Sequence, residues 1–500
     1  MKYFVIILFV ILLIAGCKKS LTFKEDIICF PDINDLTMTE YQNKIFSERR
    51  FRLLDKIENG IVILQSGFGY DGGRHESRVA NNFYYLTGCT QPGSVLVLST
   101  DRSYLYKLFI KEKSIRDEIY TGEVPEVNIM MNTFQADTVL YFQEFGEVIK
   151  ENVRTGTPVY IELRDSRTKE LLWNTVSEMK DTNEMIQDIT PIINEMRVFK
   201  NEQEIARIQK AIDITGNAVI HACRICRPDM YEFEIEAMIE YTFLANGSSM
   251  PGFESIVASG PNAVTLHYSV NDRKMEDGDL LLMDIGAEYG YYTADITRTI
   301  PVNGKFTEEQ KDIYELVLKA QKAAIGEMIP GNYIIDGHNK SNEILFQGLY
   351  DLGLITDIEC PWQKKFYILY PISHYLGLYV HDVGDYGAPD SVIRQNMVKD
   401  TTFGRILEKG MVLTVEPGLY FRNNGLSQLF ELFGNEATHE EIQNFIDKVT
   451  PVYEKYKNIG VRIEDDILIT ENGNIVLSKN IPKETDEIER IMHNPGKYTH

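Results

Sequence analysis

The sequence predicts two domains, an α/β unit followed by an α+β region, and three observations carry that expectation. Five hundred residues exceed one ordinary domain and are enough for two sizeable cores. With 44% hydrophobic and 25% charged residues, the composition is that of a globular chain. Helix-like and strand-like segments alternate over 42–195, and a different pattern opens at Arg197 to Ile205. The boundary is therefore placed near residue 198, with domains at 42–197 and 198–490.

The N-terminus reads as a processing signal. Met1-Lys2 precedes an apolar run, Tyr3–Ala15, too short for a membrane span of about 20 residues but suited to a signal-peptide core. Ile14-Ala15-Gly16-Cys17 resembles a bacterial lipobox, in which the cysteine is lipidated and becomes the mature N-terminus. The alternative is an ordinary secretory signal with a chance cysteine. The expectation is a signal peptide over 1–16, lipidation at Cys17 and a linker over 17–41. That places the protein in a bacterial cell envelope, lipid-anchored, on the extracytoplasmic (periplasmic or surface) side.

Lys+Arg 51 against Asp+Glu 74 leaves a net charge of −23, which argues against sequence-independent nucleic-acid binding. Besides Cys17 there are Cys29, Cys89, Cys223, Cys226 and Cys360, odd in number and scattered. Cys223-Arg-Ile-Cys226 lies in a helical pattern with no second pair to complete a zinc site, so the cysteines read as buried apolar residues.

In the first domain, Tyr41–Asn59 is amphipathic and charged. Gly60–Gln65 and Ser94–Ser99 read as buried strands, and Val159–Leu163 with the Leu171–Asn183 helix pattern completes the α/β unit. The second domain opens on a helix whose start is marked by Asn201 with Glu204 three residues on, an N-cap with a supporting acid. The helix runs to about Cys226, where Arg227-Pro228 breaks it, and another starts at Tyr231.

The stretch Asp279–Ile300, DLLLMDIGAEYGYYTADITRTI, holds two strand-like runs with an aspartate in each. A turn on Tyr289-Gly290 brings Asp284 directly opposite Asp295, where like charges are destabilising. Buried, such a pair must share a proton or hold a cation. Otherwise one aspartate is exposed and the other caps the turn. Five further ionisable groups sit inside apolar or strand-like runs: His267 in LHYSVN, His374 and His381 in SHYLGLYVHDVG, Glu416 in LTVEPGLY, and Glu464 in VRIEDDILIT. One shared cause, a metal centre, accounts for them together. Two Asp, two Glu and one His make an oxygen-rich, cysteine-free donor set that suits Mn, Fe, Co or Zn. Four carboxylates carry charge for two divalent ions, and such a pair supports hydrolysis.

These segments resemble the Xaa-Pro aminopeptidases within the "pita-bread" metallopeptidases, a group that includes prolidase and methionine aminopeptidase. The resemblance runs from about residue 42 to 490. MDIGAEYGYYTADITRT is similar to the family's double-aspartate hairpin, SHYLGLYVHDVG to its histidine segment, and GMVLTVEPGLY and GVRIEDDILIT to its two glutamate strands. NNFYYLTG (Asn81–Gly88) resembles the family's non-catalytic N-terminal domain, which methionine aminopeptidases lack.

The resemblance implies that Asp284, Asp295, His374, Glu416 and Glu464 hold two divalent ions, manganese first and zinc, cobalt or iron as alternatives. It implies Asp295 and Glu464 as bridges, with Asp284 on one ion and His374 and Glu416 on the other. Glu416 would also take the proton of the attacking water. His267 and His381 would contact substrate and stabilise the transition state, with Arg462 in support. Strand alternation puts Arg462 on the face of Glu464, where it can orient that ligand or balance its charge. His374 and His381 would leave a straight strand on opposite faces, so a bend, most easily at Gly377, is needed.

The family's further histidine, four residues before the metal-binding one, is here Tyr370, which can donate a hydrogen bond to substrate but cannot shuttle a proton near neutral pH. A charged segment, Asn423–Asn458, helix-like from Glu440 to Tyr456, reads as a peripheral insertion. The implied activity is removal of the first residue from peptides with proline second, by a homodimer or homotetramer. The alternatives are an Xaa-Pro dipeptidase and a catalytically impaired peptide-binding protein.

Overall fold

The computed structural model describes residues 40–494 except 68–77, 102–104, 124–125, 155, 177–184, 390, 394–396 and 399–403. The signal segment, Cys17, Cys29 and nearly all of the 17–41 linker lie outside the described residues.

The first domain is built on a six-stranded mixed sheet. Its strands are β1 (Ile61–Gln65), β2 (Val95–Ser99), β3 (Tyr106–Ile110), β4 (Thr138–Tyr141), β5 (Val159–Ile161) and β6 (Ile186–Asp188), in the order β4-β3-β2-β1-β5-β6. β1 pairs antiparallel with β2 and parallel with β5. That central place covers both its faces, which is why IVILQ is apolar without alternation. Helix Glu40–Leu54 packs beside the nearly wholly buried helix Asn81–Thr87.

Helix Glu202–Ile225 opens the second domain. Asn201 Oδ1 accepts from the N–H of Gln203 and Glu204 at 3.0 Å each, and Glu204 Oε2 accepts from the Asn201 N–H. Beyond it, β7 (Ile256–Ser259), β8 (Leu280–Ile285), a hairpin tip of β9 (Glu288–Tyr289) and β10 (Tyr292–Thr293), and β11 (Ile296–Pro301) follow in turn. The sheet order is β11-β8-β7. Next come β12 (Val412–Val415), β13 (Gly418–Tyr420), β14 (Gly460–Arg462), β15 (Asp465–Ile469) and β16 (Asn474–Val476). They form a β12-β15-β16 sheet and a β13-β14 pair. Helices Glu308–Glu327 and Ile334–Asp351 pack on one another, and helix His439–Tyr456 occupies the expected place in the 423–458 segment. Cys89, Cys223, Cys226 and Cys360 are free thiols, the first three buried.

The double-aspartate hairpin corrects the expected register. Tyr289 pairs with Tyr292 and Asp284 with Thr297, so the turn residues are Gly290 and Tyr291, not Tyr289 and Gly290. Their φ values are 56° and 74°, as a type I′ turn needs at both positions. Asp284 faces Thr297, and Asp295 is its diagonal neighbour on the same face. Tyr291 is held in this unusual conformation from outside the hairpin. Its ring stacks on Tyr84 with centroids 3.8 Å apart, and its carbonyl accepts from Arg78 Nη2 at 2.7 Å. The returning strand is also interrupted at Ala294-Asp295. There the chains approach so closely that a Cβ on Gly286 would lie 1.9 Å from the Ala294 carbonyl oxygen.

Candidate metal centre

The carboxylates cluster where ladders are interrupted. The N–H of Asp295 donates to Asp466 Oδ2 at 3.1 Å in place of a strand partner. Glu416, in the gap between β12 and β13, donates its N–H to the Ile372 carbonyl. Glu464, between β14 and β15, donates to that of Thr297. These three breaks turn Asp295, Glu416 and Glu464 toward one point. His374 arrives on the preceding loop, its main chain bonded in both directions to Thr414.

Asp295, His374 and Glu464 each offer a ligand atom within 4.8 Å of one another. His374 Nε2 stands 3.3 Å from Asp295 Oδ2 and 3.4 Å from Glu416 Oε1. Its Nδ1 lies 3.1 Å from the Tyr375 carbonyl, which can only accept, so Nδ1 carries the proton and Nε2 keeps its lone pair for a metal. Asp284 completes the group from β8.

Electrostatics show what the cluster is suited to hold. Burial, with the charges of Asp284, Asp466 and Glu416, pushes the Asp295 carboxyl well above the usual range. Glu464 is raised well above it by burial and by Asp295, Glu416 and Asp284. Glu416 is pushed up to about 7, chiefly by burial, against the pull of His374 and Arg462. Among the described residues, Asp284 Oδ1 and Asp295 Oδ1 are buried with no hydrogen-bond partner. Crowded carboxylates, two orphaned oxygens and an imidazole lone pair fit divalent cations.

Arg462 differs from expectation in its partner. It is buried and donates through Nη2 to Asp284 Oδ2, not to Glu464. Its Nε donates to Thr297 Oγ1 at 3.0 Å, and Thr297 Oγ1 donates to Glu464 Oε2 at 2.6 Å. Arg462 thus reaches Glu464 by hydrogen bonds through Thr297, because Glu464 sits in the gap after β14, while its charge still acts on that carboxyl directly. Thr297, Asp466 and Tyr420 escaped the sequence reading. Strand alternation held the signal for the first two, which lie two residues beyond Asp295 and Glu464.

A cavity of about 490 Å³ opens over the cluster, lined by His267, Tyr370, His374, His381, Arg462 and the four carboxylates Asp284, Asp295, Glu416 and Glu464. The size suits a small peptide. The rings of His374 and His381 lie perpendicular with centroids 4.5 Å apart, so the loop between them does bend. Burial, then His374, lowers the His381 pKa to about 4, leaving its ring neutral. Tyr370 lines the cavity, but its hydroxyl turns to the Glu416 carbonyl at 3.0 Å and to the Tyr420 hydroxyl at 2.8 Å.

Residues 206–471 match metallopeptidase family M24, and residues 46–160 match the aminopeptidase P N-terminal domain. The chain belongs to metallopeptidase family M24. An M24 peptidase is a hydrolase, and here an aminopeptidase P-type N-terminal domain precedes the pita-bread domain. The Xaa-Pro aminopeptidase of Haemophilus influenzae is 36% identical over 468 residues, spanning 91% of this chain and 99% of that protein. The structure of Escherichia coli aminopeptidase P in its low-pH form aligns with a TM-score of 0.78 at 32% identity. The alignment covers 92% of this chain and 100% of that one. Human Xaa-Pro dipeptidase is 29% identical over 480 residues, 90% of this chain and 93% of its own.

Proposed function

We propose that this M24 peptidase removes the first residue from peptides whose second residue is proline. In this reading Asp284, Asp295, His374, Glu416 and Glu464 hold two divalent ions, manganese foremost, with zinc, cobalt or iron as alternatives. The observation that carries the reading is the His374 Nε2 lone pair set between the Asp295 and Glu416 carboxylates beneath the cavity.

A divalent pair supplies Lewis acidity and a nucleophile at neutral pH. Glu416, at the edge of the cavity beside His374, takes a proton from water. His267 and His381 line the same cavity and hold the substrate about the scissile bond. Arg462 fixes Asp284 by a charge-assisted hydrogen bond.

The deciding assay sets Xaa-Pro dipeptides beside Xaa-Pro-Yaa peptides with purified, manganese-loaded protein. Cleavage of the longer peptides is the expected result. The relation to human Xaa-Pro dipeptidase favours a second reading, which cleavage of dipeptides alone would establish. Metal uptake without cleavage of either would leave a peptide-binding protein.

Lipidation at Cys17 and an extracytoplasmic site are proposed from the first 17 residues; no helix among the described residues is long and apolar enough to cross a membrane. The native protein should need detergent for extraction, and Cys17→Ser should release it or leave the signal uncleaved. A native N-terminus other than Cys17 refutes the anchor. A homodimer or homotetramer is proposed as well, supported by the exposed Ile115, Ile119 and Tyr120 on one helix.

A further inference from the structure

His381 lies on the loop Tyr375–Asp382, and no hydrogen bond from the described residues holds its ring. The residue beside it is anchored firmly. The Asp382 side chain is 1% exposed, accepts from Arg197 Nη2 and lies 3.5 Å from Lys200 Nζ. Its N–H closes the loop on the Tyr375 carbonyl at 2.9 Å. The carboxylate also fills the space at Gly377, where a Cβ would stand 2.3 Å from Asp382 Oδ2. The bend at Gly377 is thus shaped around Asp382. Asp382, next in the chain and held inward, fixes the backbone from which the His381 ring enters the cavity.

The anchor reaches into the first domain. Arg197 Nη1 donates to Asn82 Oδ1 at 2.7 Å, and Asn82 Nδ2 donates to Glu162 Oε1 at 2.6 Å. Arg78 Nη2 holds the same loop independently at the Leu378 carbonyl, 2.8 Å away.

We infer that Asp382 is the positioning residue for His381, and that the first domain holds it in place through Asn82 and Arg197. The inference rests on the proposed contact between His381 and substrate. A buried ion pair with a purely structural task would also be costly to break, so melting temperature alone cannot separate the two roles.

The test is a mutant cycle in the manganese-loaded full chain, read as kcat/KM on an Xaa-Pro-Yaa peptide, bound metal and melting temperature. His381→Ala is the reference. If it leaves kcat/KM unchanged, the substrate role of His381 falls and this inference with it. Given a loss there, Arg197→Met should lower kcat/KM roughly 10- to 100-fold at unchanged metal content. The Arg197→Met, His381→Ala double variant should be no slower than His381→Ala alone, because both remove the same contact. Arg197→Lys should recover part of the loss. A silent Arg197→Met, losses that multiply in the double variant, or metal lost in step with activity would each overturn the inference. Should Arg197→Met fail to fold, Asn82→Ala leaves the Arg197–Asp382 pair intact and carries the same cycle to the same outcomes.

Discussion

Tyr370 gives its hydroxyl proton to the Glu416 carbonyl, so Tyr420 must donate to Tyr370, and Arg462 Nη1 donates to Tyr420 at 2.7 Å. A relay therefore joins a guanidinium to the main chain of a ligand candidate. Tyr370→Phe should cost about 1–3 kcal/mol of stability by leaving two buried groups unpaired. That should show as a lower melting temperature at nearly unchanged KM; a large KM rise at unchanged melting temperature would put the hydroxyl on the substrate instead. The carboxylates beside it predict a pH effect. Glu416 moves from 4.5 to about 7, and Asp295 and Glu464 are also raised, so the metal-free native state binds more protons than the unfolded chain across that window. Stability is then present below about 4.5 and lost as pH rises through 7. The melting temperature of metal-stripped protein should fall from about pH 5 to about pH 8, and manganese should flatten the trend. Asp295→Asn should abolish metal uptake yet leave the stripped protein as stable or more so at the higher pH. A flat profile, or an Asn variant that melts earlier, would remove repulsion as the cause.

Among the elements, what could be read from sequence was whatever is set locally. The helix start at Asn201 is written in the side chains that close its capping box, and β1 in an unbroken apolar run. The hairpin turn was not readable in this way, because Tyr291 is held at positive φ by Tyr84 and Arg78, two hundred residues earlier in the chain. The five ligand candidates could be read in order because charged residues inside apolar runs stand out. The partner of Arg462 could not, since it depends on how β8, β11 and β14 lie together. The acidic triplet Glu464-Asp465-Asp466 shows both limits: all three are buried, and each meets a different set of groups. Asp465 bonds Arg298, Ser478, Gln321 and Lys483. Although burial alone would raise its pKa, Arg298 and Lys483 hold the carboxyl far below the usual range. Asp465→Asn leaves Arg298 charged and fully buried, at a cost of about 3–5 kcal/mol. Denaturant unfolding should show that loss as a lower midpoint at unchanged slope; a loss below about 1 kcal/mol would mean that water reaches Arg298.

At the scale of the whole molecule, the two domains are joined by charged groups that neither could leave buried alone. Arg49 Nη2 meets Glu204 Oε1 at 3.0 Å, with side chains 5% and 4% exposed, and Tyr292 donates to the same oxygen at 2.8 Å. Arg78 meets Glu288 at 2.8 Å, and Arg197 meets Asp382. Tyr84 stacks on Tyr291 across the same boundary. Small polar interfaces between domains usually allow relative motion, but buried ion pairs of fixed geometry do not tolerate small shifts, since each displaced partner strands a charge. Unfolding one domain would open these pairs in the other at once. The protein should therefore melt in a single calorimetric transition with coincident loss of near- and far-UV circular dichroism. Arg49→Met leaves Glu204 buried with Tyr292 as its remaining side-chain partner, and should lower that transition by about 3–5 kcal/mol without dividing it. Two resolved transitions in the unaltered protein would show that the domains fold independently, and the hold of the first domain on the His381 loop would then have to be weak.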